Sequence, residues 1–152
     1  MPRTTIGGLK DPQVVHHFAL EVQGIEEATF SQVGGIETSH DVIESREVGK
    51  DGKQYLNKQA GNIKFSDITL KRGITDSMEL YNWRKLVEDG KMSEARKSGS
   101  IVAYNAANEM IARFDFIRAW PVKWKAPEFN TTGNSVAIEE LTITHEGIQR
   151  SQ

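Results

Sequence analysis

The side chains best equipped for chemistry are four histidines, His16, His17, His40 and His145, and two adjacent carboxylates, Glu139 and Glu140. A metal site needs three or four such ligands converging on one point. Adjacent side chains on a strand project to opposite faces, so His16 and His17 do not readily share an ion, and Glu139 and Glu140 diverge in the same way. His40 and His145 have no partner at helix or hairpin spacing, and His145-Glu146-Gly147 lacks the second histidine of a zinc-protease helix. The segment TLKRG, residues 69–73, is basic but has none of the glycine spacing of a phosphate loop. With no cysteine in the chain, thiolate nucleophiles and Cys-ligated metals are excluded, and the fold cannot depend on disulfides. No catalytic set, metal site or cofactor site emerges, and the expectation is a protein that is not an enzyme.

One cluster does stand out. Residues 49–62, GKDGKQYLNKQAGN, form a polar, glycine-punctuated stretch in which Lys50, Lys53 and Lys58 surround Tyr55 and Leu56. Two apolar side chains in a basic loop are wasted in water, so the pattern predicts a docking tip, the alternative being that they fold back onto their own domain. Lysines around an aromatic would also suit nucleic-acid stacking, but a sequence pI near 6.1 gives that reading little support. No nucleic-acid recognition by the monomer is expected.

The elements that must hold this cluster are strands. Phe18, Leu20 and Val22 alternate with Ala19 and Glu21, the period of a half-buried strand. Gly24, Glu26 and Glu27 mark a turn, and residues 29–33 return. A third run, 36–48, carries β-branched residues among polar ones and is too polar to serve a core alone, which predicts contact outside the domain. Ile63 and Phe65 have one parity and Ile68 and Leu70 the other, so a strand over 63–72 needs a bulge near Ser66 and Asp67. A helix over 76–89, capped by Thr75 or Asp76 with Glu79 three residues on, carries Leu80, Trp83 and Val87 on one face, flanked by Tyr81 and Leu86, and stops at Gly90. Two strands then flank the turn Asn105-Ala106-Ala107-Asn108. The run AWPVKWK, 119–125, belongs at a sheet edge or end because of Pro121. In the last strand, 135–145, Val136 and Ile138 slip parity against Leu141 and Ile143, predicting a second bulge near Glu139 and Glu140. Six or seven strands with one inserted helix predict a mainly β fold, a barrel or sandwich flanked by that helix.

A chain of 152 residues fits a single domain spanning 1–152, and 38% hydrophobic with 26% charged residues is ordinary for a folded soluble protein. No run approaches the length of a membrane helix, and the first fifteen residues lack the apolar core of a signal peptide, which predicts cytoplasmic synthesis. The formal net charge of −2 conceals segregation: residues 1–48 carry −5, 49–72 carry +4 and 73–152 carry −1. The pattern reads either as solvated surface that happens to cluster or as head-to-tail complementarity between copies.

Taken in order, the Gly34-Gly35-Ile36 turn, ITLKRG at 68–73, the Trp83 helix, RAWPVKW at 118–124 and VAIEELTITHEG at 136–147 resemble the inner tube proteins of contractile phage tails and phage-derived extracellular contractile injection systems. The resemblance covers nearly the whole chain. One departure is Gln59-Ala60-Gly61-Asn62, where such proteins often have a Pro-Gly pair. It implies a fold related to the type VI secretion tube protein and hexameric rings stacked into a hollow conduit inside a contractile sheath. Expected partners are further copies of the chain, the sheath, baseplate or spike proteins and tube-terminating proteins, with DNA or protein cargo in the lumen. On that footing Lys50, Lys53, Tyr55, Leu56 and Lys58 are candidates for inter-subunit or inter-ring contact. Asp76, Glu79, Glu88 and Asp89 are candidates for the sheath. The rival readings are a monomeric β-barrel that binds a small ligand and an enzyme with an unrecognised site.

Overall fold

A computed structural model describes residues 5–6, 9–10, 12–23, 25–128, 131, 133 and 136–152. Two short strands, β1 (Thr5–Ile6) and β2 (Leu9–Lys10), pair with each other. The main sheet runs in the order β4 (Ile25–Phe30), β3 (His17–Val22), β9 (Lys97–Tyr104), β10 (Met110–Lys125), β11 (Ile138–Thr144), β8 (Ile68–Gly73) and β5 (Gln32–Gly34), with β12 (Gly147–Arg150) also on β10. The two ends of that path, β4 and β5, are separated in the chain only by Ser31, whose N–H donates to the Lys71 carbonyl at 3.0 Å. The sheet therefore returns on itself as a barrel. The return strand begins at Ile25, so Glu26 and Glu27 lie in β4 and not in a turn; Gly24 falls outside the described residues.

The longest strand makes the corner. Its first half pairs with β9 and, at Phe114–Ile117, with β12, and its second half, from Trp120, pairs with β11. The switch falls at Arg118, which has a left-handed φ of 48°, and Arg118 Nε meets Glu146 Oε2 there at 2.6 Å. Pro121 consequently sits inside a strand of the main sheet and not at an outer edge. Its carbonyl accepts from Arg84 Nη1 at 3.1 Å, on the side away from β11. A residue's N–H and C=O point the same way in a strand, so the donor that proline lacks falls where no ladder needs it.

The interior is filled by Leu20, Val22, Ile25, Ala28 and Phe30 from one wall and Ile68, Leu70, Leu141 and Ile143 from the other, with Ile101 and Phe116 between. Helix α1 (Glu79–Glu88) adds Leu80 and Trp83 to the same core. Its start has no side-chain cap: Met78 is the N-cap, and Thr75 Oγ1 accepts from the Ser77 N–H instead, so neither Thr75 nor Asp76 caps the helix as expected. Its end follows the Schellman pattern, with Gly90 N–H on the Val87 carbonyl, Lys91 N–H on that of Leu86 and Gly90 at a φ of 77°. A second short helix, α2 (Met92–Ala95), was not apparent in the sequence; the Trp83 indole N–H donates to its Ala95 carbonyl at 2.6 Å.

Neither expected bulge exists where the parity slips. β8 and β11 pair without interruption from Gly73↔Ile138 to Ile68↔Ile143, and the irregularity lies on β10 between Pro121 and Lys123. The inward positions of β8 are Ile68, Leu70 and Arg72, and those of β11 are Glu139, Leu141 and Ile143. A buried ion pair, Arg72 Nε to Glu139 Oε1 at 3.1 Å, occupies the layer where apolar residues were expected, and Val136 and Ile138 face outward. At Ser66 and Asp67 the strand does not bulge but ends, because the chain passes from one sheet to another.

Candidate assembly surfaces

That second sheet is an arm made of β6 (Thr38–Val48) and β7 (Gln54–Phe65), which pair with each other and with no strand of the barrel. Eleven residues in a strand reach roughly 35 Å. The glycine- and lysine-rich stretch at 49–62 is thus mostly strand, and only residues 49–53 make the turn. Alternation is legible once the register is known: Glu44 faces Lys58, Arg46 faces Leu56 and Val48 faces Gln54. A bulge sets Asp41 against Gly61 and Asn62, so β6 keeps its parity along its length.

Two faces result. Val42, Val48, Leu56 and Ile63 share one face with the Glu44 and Lys58 pair, and they are 62%, 69%, 55% and 53% exposed. Ile43 and Tyr55 lie on the other face with Gln59, Asn57, Ser45 and Glu47. Part of the charge segregation along the sequence is resolved within this arm: acidic β6, with Asp41, Glu44 and Glu47, lies against β7 with Lys58 and Lys64, and Lys64 Nζ meets Asp41 at 2.8 Å. Opposite signs here meet inside one chain.

The predicted docking residues separate. Lys50 and Lys53 lie at the turn, where Gly49 N–H donates to the Lys53 carbonyl and Lys53 N–H to Asp51 Oδ1. Tyr55 donates its hydroxyl to Asp51 Oδ2 at 2.6 Å and so folds back over the turn. That bond, with the Lys53 N–H, holds the Asp51 carboxyl below its usual range, and the same carboxylate pushes the Tyr55 phenol up. Leu56 and Lys58 stay on the apolar face. Val42, Val48 and Ile63 complete that face and had not been singled out; their signal was a shared parity within a run that reads as polar.

The arm's root is fastened to the barrel. Ser66 Oγ donates to Glu37 Oε1, and His145 Nε2–H donates to the Ser66 carbonyl at 3.0 Å, with the Phe65 ring 5.6 Å from the imidazole. Gly35 has a φ of 89°, and a Cβ there would collide with the Asp67 carbonyl oxygen, so only glycine permits the chain to cross at that point.

The four helix-associated carboxylates also divide. Glu88 and Asp89 sit at the C-terminal end of α1, 3.6 Å and 3.7 Å from Lys85 Nζ. Glu79 lies in the first turn and Asp76 precedes the helix, so the two groups are about 15 Å apart along the axis.

His16 and His17 are closer than strand alternation allows, because β3 begins only at His17; their Nδ1 atoms are 2.9 Å apart. They line an open cleft of about 540 Å³ with Phe30, Ser31, Arg72 and Glu79. Among the described residues no three His, Asp or Glu side chains are placed to hold a metal ion, and no helix is long and apolar enough to cross a membrane.

With an eight-stranded barrel, a clasped helix and a projecting arm described, similarity to known proteins is informative. The sequence matches the T4-like virus tail tube protein gp19 over residues 14–149. No curated protein sequence matches the chain. Among solved structures, a chain in the sheath–tube complex of the PVC extracellular contractile injection system, in its extended state, is 26% identical with a TM-score of 0.74, covering 92% of this chain and 91% of that one. A chain in the sheath/tube terminator of the same system is 25% identical with a TM-score of 0.73, covering 95% and 99%. Hcp1 from Flavobacterium johnsoniae, 21% identical, covers 89% and 94% at a TM-score of 0.53, which shows a shared fold. The match spans most of the chain and the barrel, helix and arm fall within it: the chain belongs to the T4-like tail tube protein family.

Proposed function

We propose that copies of this chain, acting as one tail-tube domain, close into hexameric rings that stack into a hollow conduit inside a contractile sheath. The observation that carries this reading is the arm. A two-stranded ribbon is marginal in water, and this one leaves four large aliphatic side chains on one face that no other element among the described residues covers. A heterologous contact whose rotation closes makes a ring, and a second contact along the axis makes a filament. The arm is suited to the second, reaching a neighbouring copy through Leu56, Lys58 and the aliphatic face, with Lys50 and Lys53 at its tip and Tyr55 stiffening the turn. The conduit is passive, performs no catalysis and moves when the sheath contracts. Its ends meet baseplate or spike proteins and a terminator, and its subunits are made in the cytoplasm without export and assembled into a particle. The identity to chains of an injection system favours such a particle over a virion.

The test is to trim the arm. Replacing residues 45–57 by Asn-Gly joins Glu44 to Lys58, which already face each other, through a two-residue turn that suits a hairpin. The barrel should keep its circular dichroism and thermal transition, while negative-stain microscopy shows tubes for the parent and none for the variant. Normal tubes from the trimmed chain would refute the role of the arm, and a parent that remains monomeric at all concentrations would refute the tube and favour the ligand-binding module.

A further inference from the structure

The barrel has two outward sheet faces, and they differ in kind. On the face of β3, β9 and β10, Arg113 Nη1 meets Glu21 at 3.2 Å and Arg113 Nε meets Asp115 at 3.1 Å, with Ser100 Oγ donating to Asp115 at 2.5 Å. The charges there close on one another, and Ile117 stands exposed beside them. On the face of β5, β8, β11 and the second half of β10, register places Gln32, Lys71, Glu140 and Lys125 in one row and Gly34, Thr69, Thr142 and Lys123 in the next. Three lysines thus surround one glutamate on a threonine-rich surface, and among the described residues none of the four forms an ion pair.

We infer that this lysine and threonine face lines the conduit and that it is fitted to an acidic polypeptide passenger. The inference rests on the tube reading. Each face leaves one isoleucine exposed, Ile138 here and Ile117 on the other, so what separates them is charge: Arg113, Glu21 and Asp115 neutralise one another on the first face, whereas the lysines of the second stay available to what passes along a wet wall. Closing six copies would bring roughly twelve net positive charges into one narrow ring, between protein walls that focus the field and raise its self-repulsion. That repulsion is relieved when an anionic chain occupies the space. No aromatic side chain lies in either row, so bases have no surface on which to stack. That lack of a stacking surface favours a polypeptide over a nucleic acid.

The test compares assembled tubes of the parent, of the triple variant Lys71→Glu, Lys123→Glu, Lys125→Glu, and of Lys91→Glu, which reverses an exposed lysine outside this face. The three target side chains point away from the core, so the variant should fold, which circular dichroism and microscopy of its tubes verify. Fluorescein-labelled poly-L-glutamate and an oligothymidine of equal charge are titrated at low salt. The parent and Lys91→Glu should bind poly-L-glutamate equally and more tightly than oligothymidine, and the triple variant should bind it about tenfold or more weakly, with the difference shrinking as salt rises. Equal binding of poly-L-glutamate by triple-variant tubes would overturn the assignment of the face, and tighter binding of oligothymidine by the parent would overturn the polypeptide passenger. Absence of tubes from the parent would instead overturn the tube reading and the conduit with it.

Discussion

Two faces of one ribbon make opposite predictions, which gives the arm a sharp test. Fully burying a valine, leucine or isoleucine is worth about 1.5–3 kcal/mol. Val42 and Leu56 are 62% and 55% exposed on the free chain, so covering what remains of each is worth about 1–1.5 kcal/mol. The double variant Val42→Gln, Leu56→Gln should therefore weaken each arm contact by about 2–3 kcal/mol, and at about 1.4 kcal/mol per decade the critical concentration for tube formation should rise roughly 30- to 150-fold. Neither side chain belongs to the barrel core, so the thermal transition of the unassembled chain should hardly change. Ile43→Gln, on the opposite face, removes a side chain of similar exposure and should leave the critical concentration within about threefold, a shift smaller than 1 kcal/mol. Pelleting across a dilution series measures all three. If Ile43→Gln impairs assembly while the double variant assembles as the parent does, the faces have been assigned the wrong way round, and if neither matters the arm does not dock by its aliphatic side chains.

Breaking the buried pair by Glu139→Leu should destabilise the barrel by about 3–5 kcal/mol in urea unfolding, since Arg72 is left charged and enclosed. The double variant Arg72→Met, Glu139→Leu should recover to within about 1 kcal/mol of the parent, because Arg72 Nη2 already lacks a hydrogen-bond partner and the native pair is incompletely satisfied. The Ser100 hydroxyl, then Ser151 and Arg113, hold the Asp115 carboxyl below its usual range. A depressed carboxyl contributes stability above its unfolded pKa and loses it as pH falls through the folded value, so Asp115→Asn should flatten the acid limb of a stability profile below about pH 4 and leave its shape at neutral pH unchanged. Reversal of Glu88 and Asp89 to lysine should reduce co-assembly with the sheath if the C-terminal end of α1 faces it; unchanged co-pelleting would remove that end from the interface and leave Glu79 and Asp76 as the remaining candidates.

Local pattern was sufficient wherever neighbours in sequence are also neighbours in space. Phe18 to Val22, the Asn105 hairpin, the Leu80 and Trp83 face and the Gly90 stop all appear as read, because period, turn chemistry and capping are set within a few residues. The ordered motifs from Gly34 to Gly147 also carried the family. What the sequence could not supply was pairing across distance. Glu139 reads as a break in an apolar pattern until β11 lies beside β8 and places it against Arg72, 67 residues away in the chain. The segment 49–62 reads as a loop because its strand has no core face, and its partner strand supplies the charges and the register that make it an arm. Segregated charge along the chain likewise read either as solvated surface or as complementarity between copies until the hairpin set part of the acidic run against part of the basic one. In each case the missing information was a long-range strand register, which depends on closing a chain into a barrel and on no property of any short segment.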